Sequence, residues 1–402
     1  MSPQPERAED LASFWNLDPD VVFLNHGSYG ACPRPVLETQ ARLRTKLERN
    51  PVRFLTRELE GLQDEARREL AAFVGADPAN LAFVPNTTTG VNTVLRSLSF
   101  QPGDELLTTT HAYSACRNAL EFAAERAGAK VVVAPVPFPI KSPDQVLETV
   151  LSALTPGTRL ALLDHLTSPS GLLFPIAQLV RELRGRGVET LVDGAHAPGA
   201  VPLDLEGLGA AYYVGNCHKW LCAPKGAAFL YVRPDRQTAI RPLAISHGAN
   251  TKRTDRSRFH LEFDWTGTHD PTACLAVPSA IRFLGSLLPG GWAAVMERNR
   301  ALALEARDLL CRELGVPPPC PDEMLGPMAA IPLPGTPAEP GRSGICQDPL
   351  QVALYQRFRI EAPVTTLPAH PVCFLRISAH LYNSPEQYRR LGKALAEILR
   401  GS

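Results

Sequence analysis

Between Leu81 and Val232, short apolar runs alternate with helix-like stretches, and this alternation restricts the fold more tightly than anything else in the chain. The strand candidates are Leu81 to Pro85, Leu106 to Thr109, Lys130 to Ala134, Arg159 to Asp164, Val188 to Asp193, Ala211 to Val214 and Ala227 to Val232. Helical patterns fill several of the intervals, notably Ser114 to Ala127, Pro143 to Leu154 and Pro175 to Arg186. Such a chain is α/β, with a mainly parallel seven-stranded sheet covered on both faces. Ligands of these sheets gather at the carboxyl ends of the strands.

At 402 residues the chain exceeds what one hydrophobic core usually serves. The expected division is an N-terminal segment over 1–30 that contributes to the site, a large domain over 31–289, and a smaller C-terminal α/β domain over 290–402. That last part opens on a long helix reaching Leu314, and Gln351 to Phe358, Cys373 to Ile377 and Pro385 to Leu399 supply its layer. Pro317 to Gly341 holds nine prolines in 25 residues, which favours an extended, irregular excursion. Forty-one basic and 41 acidic residues balance, which argues against a broad nucleic-acid or membrane surface. No apolar span has bilayer length and the N-terminus is too charged for a signal peptide, so the expected location is cytoplasmic. The nine cysteines lack close CxxC pairs and read as reduced, mostly buried thiols, with no metal site; Cys217 and Cys222, which flank Lys219, are read the same way.

Lys219 stands in YYVGNCHKWLCAPKG, 26 residues after Asp193 of VETLVDGAHAPG. A lysine among small and apolar residues, with a carboxylate closing an upstream strand, suits pyridoxal 5'-phosphate: the amine forms a Schiff base, and the carboxylate keeps the pyridine nitrogen protonated. Asn86 to Asn92 (NTTTGVN), between a strand and a helix, suits the phosphate, through helix N-terminal amides and the hydroxyls of Thr88 and Thr89. Threonine capping of the helix is the plainer use of the same residues.

In order along nearly the whole chain, FLNHGSYGACP, NTTTGVN, DHLTSPSG, DGAHAPG, NCHKW, DWTGTHD and RISAHLYNS resemble the class V aminotransferase family, a branch of fold type I pyridoxal phosphate enzymes. Within it the isopenicillin N epimerase-like group is the nearest look. The resemblance implies Lys219 as the Schiff-base lysine, Asp193 as the pyridine partner, His196 on the same wall, and Asn216 and His218 as phosphate ligands. It places an aromatic group over the ring, Tyr113 in preference to His111, and puts His165 and Thr167 near the phenolic oxygen. Arg376 matches the arginine that grips a substrate α-carboxylate, a bidentate task for which lysine is a poor substitute. Thr268 matches the residue that reaches a partner subunit's phosphate, which implies a homodimer with shared sites. Asn25 and His26, with Ser28, are expected over the substrate; Arg53 and His247 are candidates for shaping specificity.

These residues secure deprotonation of an amino-acid substrate at Cα, with Lys219 the natural base and Tyr113 or a histidine the second acid that epimerisation needs. The implied activity is therefore epimerase or racemase chemistry, with a carbon–sulfur lyase of the cysteine-conjugate or hercynylcysteine sulfoxide type and an aminotransferase as alternatives. A desulfurase is disfavoured, because Ile360 to His370 contains no cysteine. A regulator of related fold is disfavoured too, since only about 20 residues precede the first motif and no basic recognition helix is present.

Overall fold

The computed structural model describes residues 8–337, 348–367 and 372–400. Cys346 and residues 368–370 of the cysteine-free stretch lie outside them. Twelve strands occur among the described residues: β1 Val22–Phe23, β2 Leu81–Val84, β3 Glu105–Thr109, β4 Lys130–Ala134, β5 Thr158–Asp164, β6 Glu189–Asp193, β7 Tyr212–Asn216, β8 Ala228–Val232, β9 Met328–Pro337, β10 Ile360–Glu361, β11 Val364–Thr365 and β12 Val372–Ser378.

The large sheet has the order β2-β8-β7-β6-β5-β3-β4. Only β8 runs against its neighbours, β2 and β7; the other pairings are parallel. Alternation within each strand feeds two cores. In β5, Leu160 and Leu162 join the cluster beneath the helices Thr87–Ser97 and Ser114–Ala127, while Ala161 and Leu163 join the opposite cluster. Burial on both faces explains why these strands read as unbroken apolar runs. Because β8 alone is reversed, the carboxyl ends of β2, β3, β4, β5, β6 and β7 share one edge with the entry to β8. That edge collects Asn86, Asp164, Asp193 and Asn216.

A second, three-stranded antiparallel sheet has the order β11-β12-β9 and packs on the helices Gly291–Leu314 and Pro385–Arg400. The proline-rich segment departs from the irregular path expected of it only from Met328 to Pro337, where β9 is a regular strand paired with β12; its residues 338–341 lie outside the described ones. β9 lies at the sheet edge, where Pro332, Pro334 and Pro337 need supply no outward amide, and the register shifts between Val372 and Phe374. Near the N-terminus, β1 pairs in parallel with β10, so the opening segment is bound to the C-terminal part of the chain. No helix among the described residues is long and apolar enough to cross a membrane.

The helix Thr87–Ser97 sits close on β7 because position 90 lacks a Cβ, which would meet Val214 Cγ1 at 2.4 Å and Cγ2 at 3.2 Å. Gly90→Ala is expected to cost about 1–3 kcal/mol in urea unfolding through overpacking. Gly61→Ala, on an exposed helical face with nothing within 4 Å of the new Cβ, is expected to be neutral or to stabilise by up to about 1 kcal/mol.

Candidate active site

Lys219 lies in the turn between β7 and β8, with Nζ 2.9 Å from His196 Nε2. The other imidazole nitrogen, Nδ1, accepts the indole N–H of Trp220 at 3.4 Å. An indole nitrogen only donates, so a neutral His196 carries its proton on Nε2 and donates it to Lys219. The amine therefore accepts and is uncharged. Desolvation, followed by the charge of Arg376, brings the Lys219 pKa down to about 7, with Asp193 and Cys116 opposing. Desolvation also holds His196 well below its usual value, so the pair is a neutral amine against a neutral imidazole.

Asp193 ends β6 and is buried, at 4% exposure. Its Oδ1 accepts the Ala195 N–H at 3.0 Å, whereas Oδ2 is enclosed without a hydrogen-bond partner. An orphaned carboxylate oxygen close to a neutral lysine fits a protonated pyridine nitrogen. The helix beginning at Thr87 fits the phosphate: Asn86 Oδ1 accepts the Thr89 N–H at 2.8 Å, Asn216 Oδ1 accepts the Thr87 N–H at 2.9 Å, and Thr88 and Thr89 are half-buried. His218 donates from Nδ1 to the Ala227 carbonyl at 3.1 Å, so it can donate to a phosphate through Nε2 only as an imidazolium. Burial lowers its pKa to about 4; a bound dianion would act in the opposite direction.

Arg376 on β12 is 4% exposed. Nη1 donates to the Ser168 carbonyl at 2.7 Å, while Nη2 donates to Ser28 Oγ at 2.7 Å and Asn25 Oδ1 at 3.3 Å. Its Nε is buried without a partner, and no carboxylate pairs with it among the described residues. The other deeply buried arginines, Arg67 and Arg307, each contact two aspartates. Desolvation lowers Arg376 to about 10, and the phenols of Tyr113 and Tyr29 stand near enough to act on it. A cradled cation without an acidic partner is available to an anion.

Several residues lie elsewhere than expected. His26 does not cover the substrate: it is fully buried, donating from Nε2 to the Lys219 carbonyl at 3.0 Å and accepting the Tyr382 hydroxyl at Nδ1 at 2.7 Å. The turn His26–Tyr29 tucks it beneath the lysine. Gly30 permits this approach, since at φ +70 a Cβ there would lie 2.0 Å from the His218 carbonyl oxygen. Thr167 is also withdrawn, because its buried hydroxyl bonds Ser170 Oγ at 2.7 Å and accepts the Leu172 N–H at 2.8 Å, closing its own turn and leaving nothing for a phenolic oxygen. His111 is enclosed, bonded to Ser170 Oγ and the Val136 carbonyl, while Tyr113 is 44% exposed. His165 is half-buried against the Tyr213 hydroxyl at 2.9 Å. Thr268, Arg53 and His247 are exposed, and Arg53 pairs with Glu58 at 2.8 Å.

Sequence reasoning missed Asp164, Ser168 and Tyr382, although each stands inside a quoted motif, the first two in DHLTSPSG and the third in RISAHLYNS; for Asp164 the available signal was its alignment with the Asp of DGAH at a strand end. Among the described residues His26, Cys222 and His380 form a cluster of metal-ligand types, yet the two imidazoles stack at 4.2 Å and 21°. Parallel stacked rings cannot both direct in-plane nitrogens at one ion. Cys222 and Cys217 are buried, with thiols held well above their usual pKa.

The fold, with a neutral lysine and a buried carboxylate at one sheet edge, is that of a fold type I pyridoxal phosphate enzyme. The chain belongs to the class V aminotransferase family: residues 23–314 match the description Aminotransferase class-V. It is 39% identical to the isopenicillin N epimerase of Amycolatopsis lactamdurans, over 95% of this chain and 96% of that protein. It is 31% identical to a probable chloroplastic L-cysteine desulfhydrase of Arabidopsis thaliana, over 98% of this chain and 86% of the other. A solved structure of C-DES, with glycine covalently linked to its PLP cofactor, shares the fold at a TM-score of 0.76 and 24% identity, over 94% of this chain and 97% of that one.

In the cofactor-free protein, competitive acetylation read by mass spectrometry should show Lys219 becoming reactive as pH rises through about 7. Lys219 titrating with the exposed lysines would contradict the neutral-amine arrangement.

Proposed function

We propose that the enzyme removes the Cα proton of an amino acid or small peptide-like substrate and returns it with inverted configuration, as an epimerase or racemase. The observation that carries this reading is the Arg376 guanidinium, buried without an acidic partner and close enough to Lys219 to lower its pKa. Arg376 takes the substrate α-carboxylate, held in its fork by Ser168, Ser28 and Asn25. Pyridoxal phosphate, when bound, supplies an electron sink that makes the Cα proton acidic. Asp193 would hold the pyridine nitrogen through its orphaned oxygen, Thr88, Thr89, Asn216 and His218 would hold the phosphate, and His165 would stand near the phenolic oxygen. Lys219 accepts the proton at Nζ, kept uncharged by desolvation and by the His196 N–H. Tyr113 stands on the open side with its phenol held protonated, first by burial, and is the acid that delivers a proton to the other face.

A carbon–sulfur lyase is the second reading. The 31% identity to a desulfhydrase supports it, and so does the chemistry, because elimination from Cβ needs Lys219 but no second acid. Incubating the enzyme with amino-acid and cysteine-conjugate panels in heavy water separates the two. Cα deuteration with inversion and no pyruvate is expected; pyruvate release would replace the epimerase reading with the lyase. Arg376→Ala should lower kcat/KM by the equivalent of about 2–5 kcal/mol. Lys219→Ala should abolish both the visible cofactor band and Cα exchange.

We further propose that two chains assemble, with Thr268 reaching the partner's phosphate. The exposed Val52, Leu243 and Ile245 support this, being 68%, 46% and 58% open in the single chain. Light scattering should give twice the chain mass of 43.7 kDa, and a monomer mass would remove the proposal.

A further inference from the structure

Asp164 and Asp193 close adjacent parallel strands in direct register. In-register neighbours point to one face from backbones about 4.8 Å apart. Here the face is the one that Leu160, Leu162 and Leu191 share with Cys116 of the covering helix. Both carboxyls are closed to water, at 3% and 4% exposure. Burial raises the Asp193 pKa, but the Cys116 thiol, the Ala195 N–H and Lys219 oppose it and favour the ionised form. Asp164 has the amide of Tyr113 and its own amide, and the charge that acts on it is the negative one of Asp193. No arginine, lysine or histidine pairs with it among the described residues. The remaining titratable groups on this face, the Cys116 thiol and the Tyr113 phenol, are held protonated, first by burial, and add no charge of either sign. Two adjacent buried carboxylates without a cation each cannot both ionise, because the second charge meets both desolvation and repulsion.

We propose that Asp164 and Asp193 form a carboxyl pair in which Asp164 remains the neutral acid, leaving Asp193 as the single anion and fixing the Tyr113 amide with its own oxygen. Asp164 is thus a positioning residue. It acts through Asp193, whose charge it keeps at one and matched to a single pyridinium, and through Tyr113, whose entry into the helix Ser114–Ala127 it anchors. Burial, and then the charge of Asp193, drive Asp164 well above the ordinary carboxylate range, in agreement with this assignment. Its effect on the cofactor rests on the function proposed above; the pair itself does not.

Infrared spectra of the enzyme in light and heavy water, with the cofactor bound and after its removal, test the pair directly. A protonated-carboxyl stretch at pH 7 is expected in the wild type, shifted by deuterium and lost in Asp164→Asn. Because asparagine keeps the site neutral, the pH at which the cofactor's visible band titrates should move by less than about half a unit in that variant. A wild-type spectrum without the stretch, or a stretch that survives in Asp164→Asn, would overturn the proposal. So would a downward shift of about one unit or more in the band's titration, the signature of a lost negative charge beside Asp193. The wild-type stretch is read whether or not the variant folds. It is read in cofactor-free protein too, so failure of the pair and failure of the cofactor reading give different results.

Discussion

A lysine held neutral is what the surrounding structure is arranged around. The Lys219 amine accepts the His196 N–H, His196 is oriented by the Trp220 indole, and a second histidine, His26, grips the Lys219 carbonyl from below. A charged ammonium in this position would face the positive Arg376 in a poorly solvated site. Keeping the amine uncharged removes that repulsion and leaves its lone pair free near neutral pH.

Charge at the sheet edge is distributed by topology. The reversal of β8 alone lets the other six strands end on one edge, and the buried acids Asp164 and Asp193 meet there because β5 and β6 are in register. Arg376 comes from the other sheet and is gripped by Asn25 and Ser28 of the opening segment, which β1 ties to β10. The Lys219 carbonyl, the Tyr382 hydroxyl and His26 connect that same segment to the lysine turn. Arg376 and Lys219 are thus braced by one N-terminal stretch.

Legibility followed the range of the interactions. The strands of the large sheet were readable to within a residue or two at most ends because burial on both faces writes a continuous apolar run. The helix Ser114–Ala127 was readable at both ends because a glycine in the left-handed region stops it at Gly128. β9 was not, since its prolines signal irregularity unless the partner strand and the edge position are known. His26 and Thr167 were misplaced for a related reason: their side chains satisfy polar groups distant in sequence or enclosed by a turn, and residue type does not show which way such a group faces.

By itself the sequence determined the α/β architecture and the cofactor class, and it singled out Lys219 and Asp193 as candidates, because periodicity and motif spacing are local properties. The tertiary structure decided what could not be local: that His196 rather than an acid faces the lysine, that Arg376 lacks an anion, that His26 lies beneath the site, and that Asp164 stands beside Asp193. Each of these depends on strand order and register, which bring together residues tens to hundreds of positions apart and set their ionisation through shared burial.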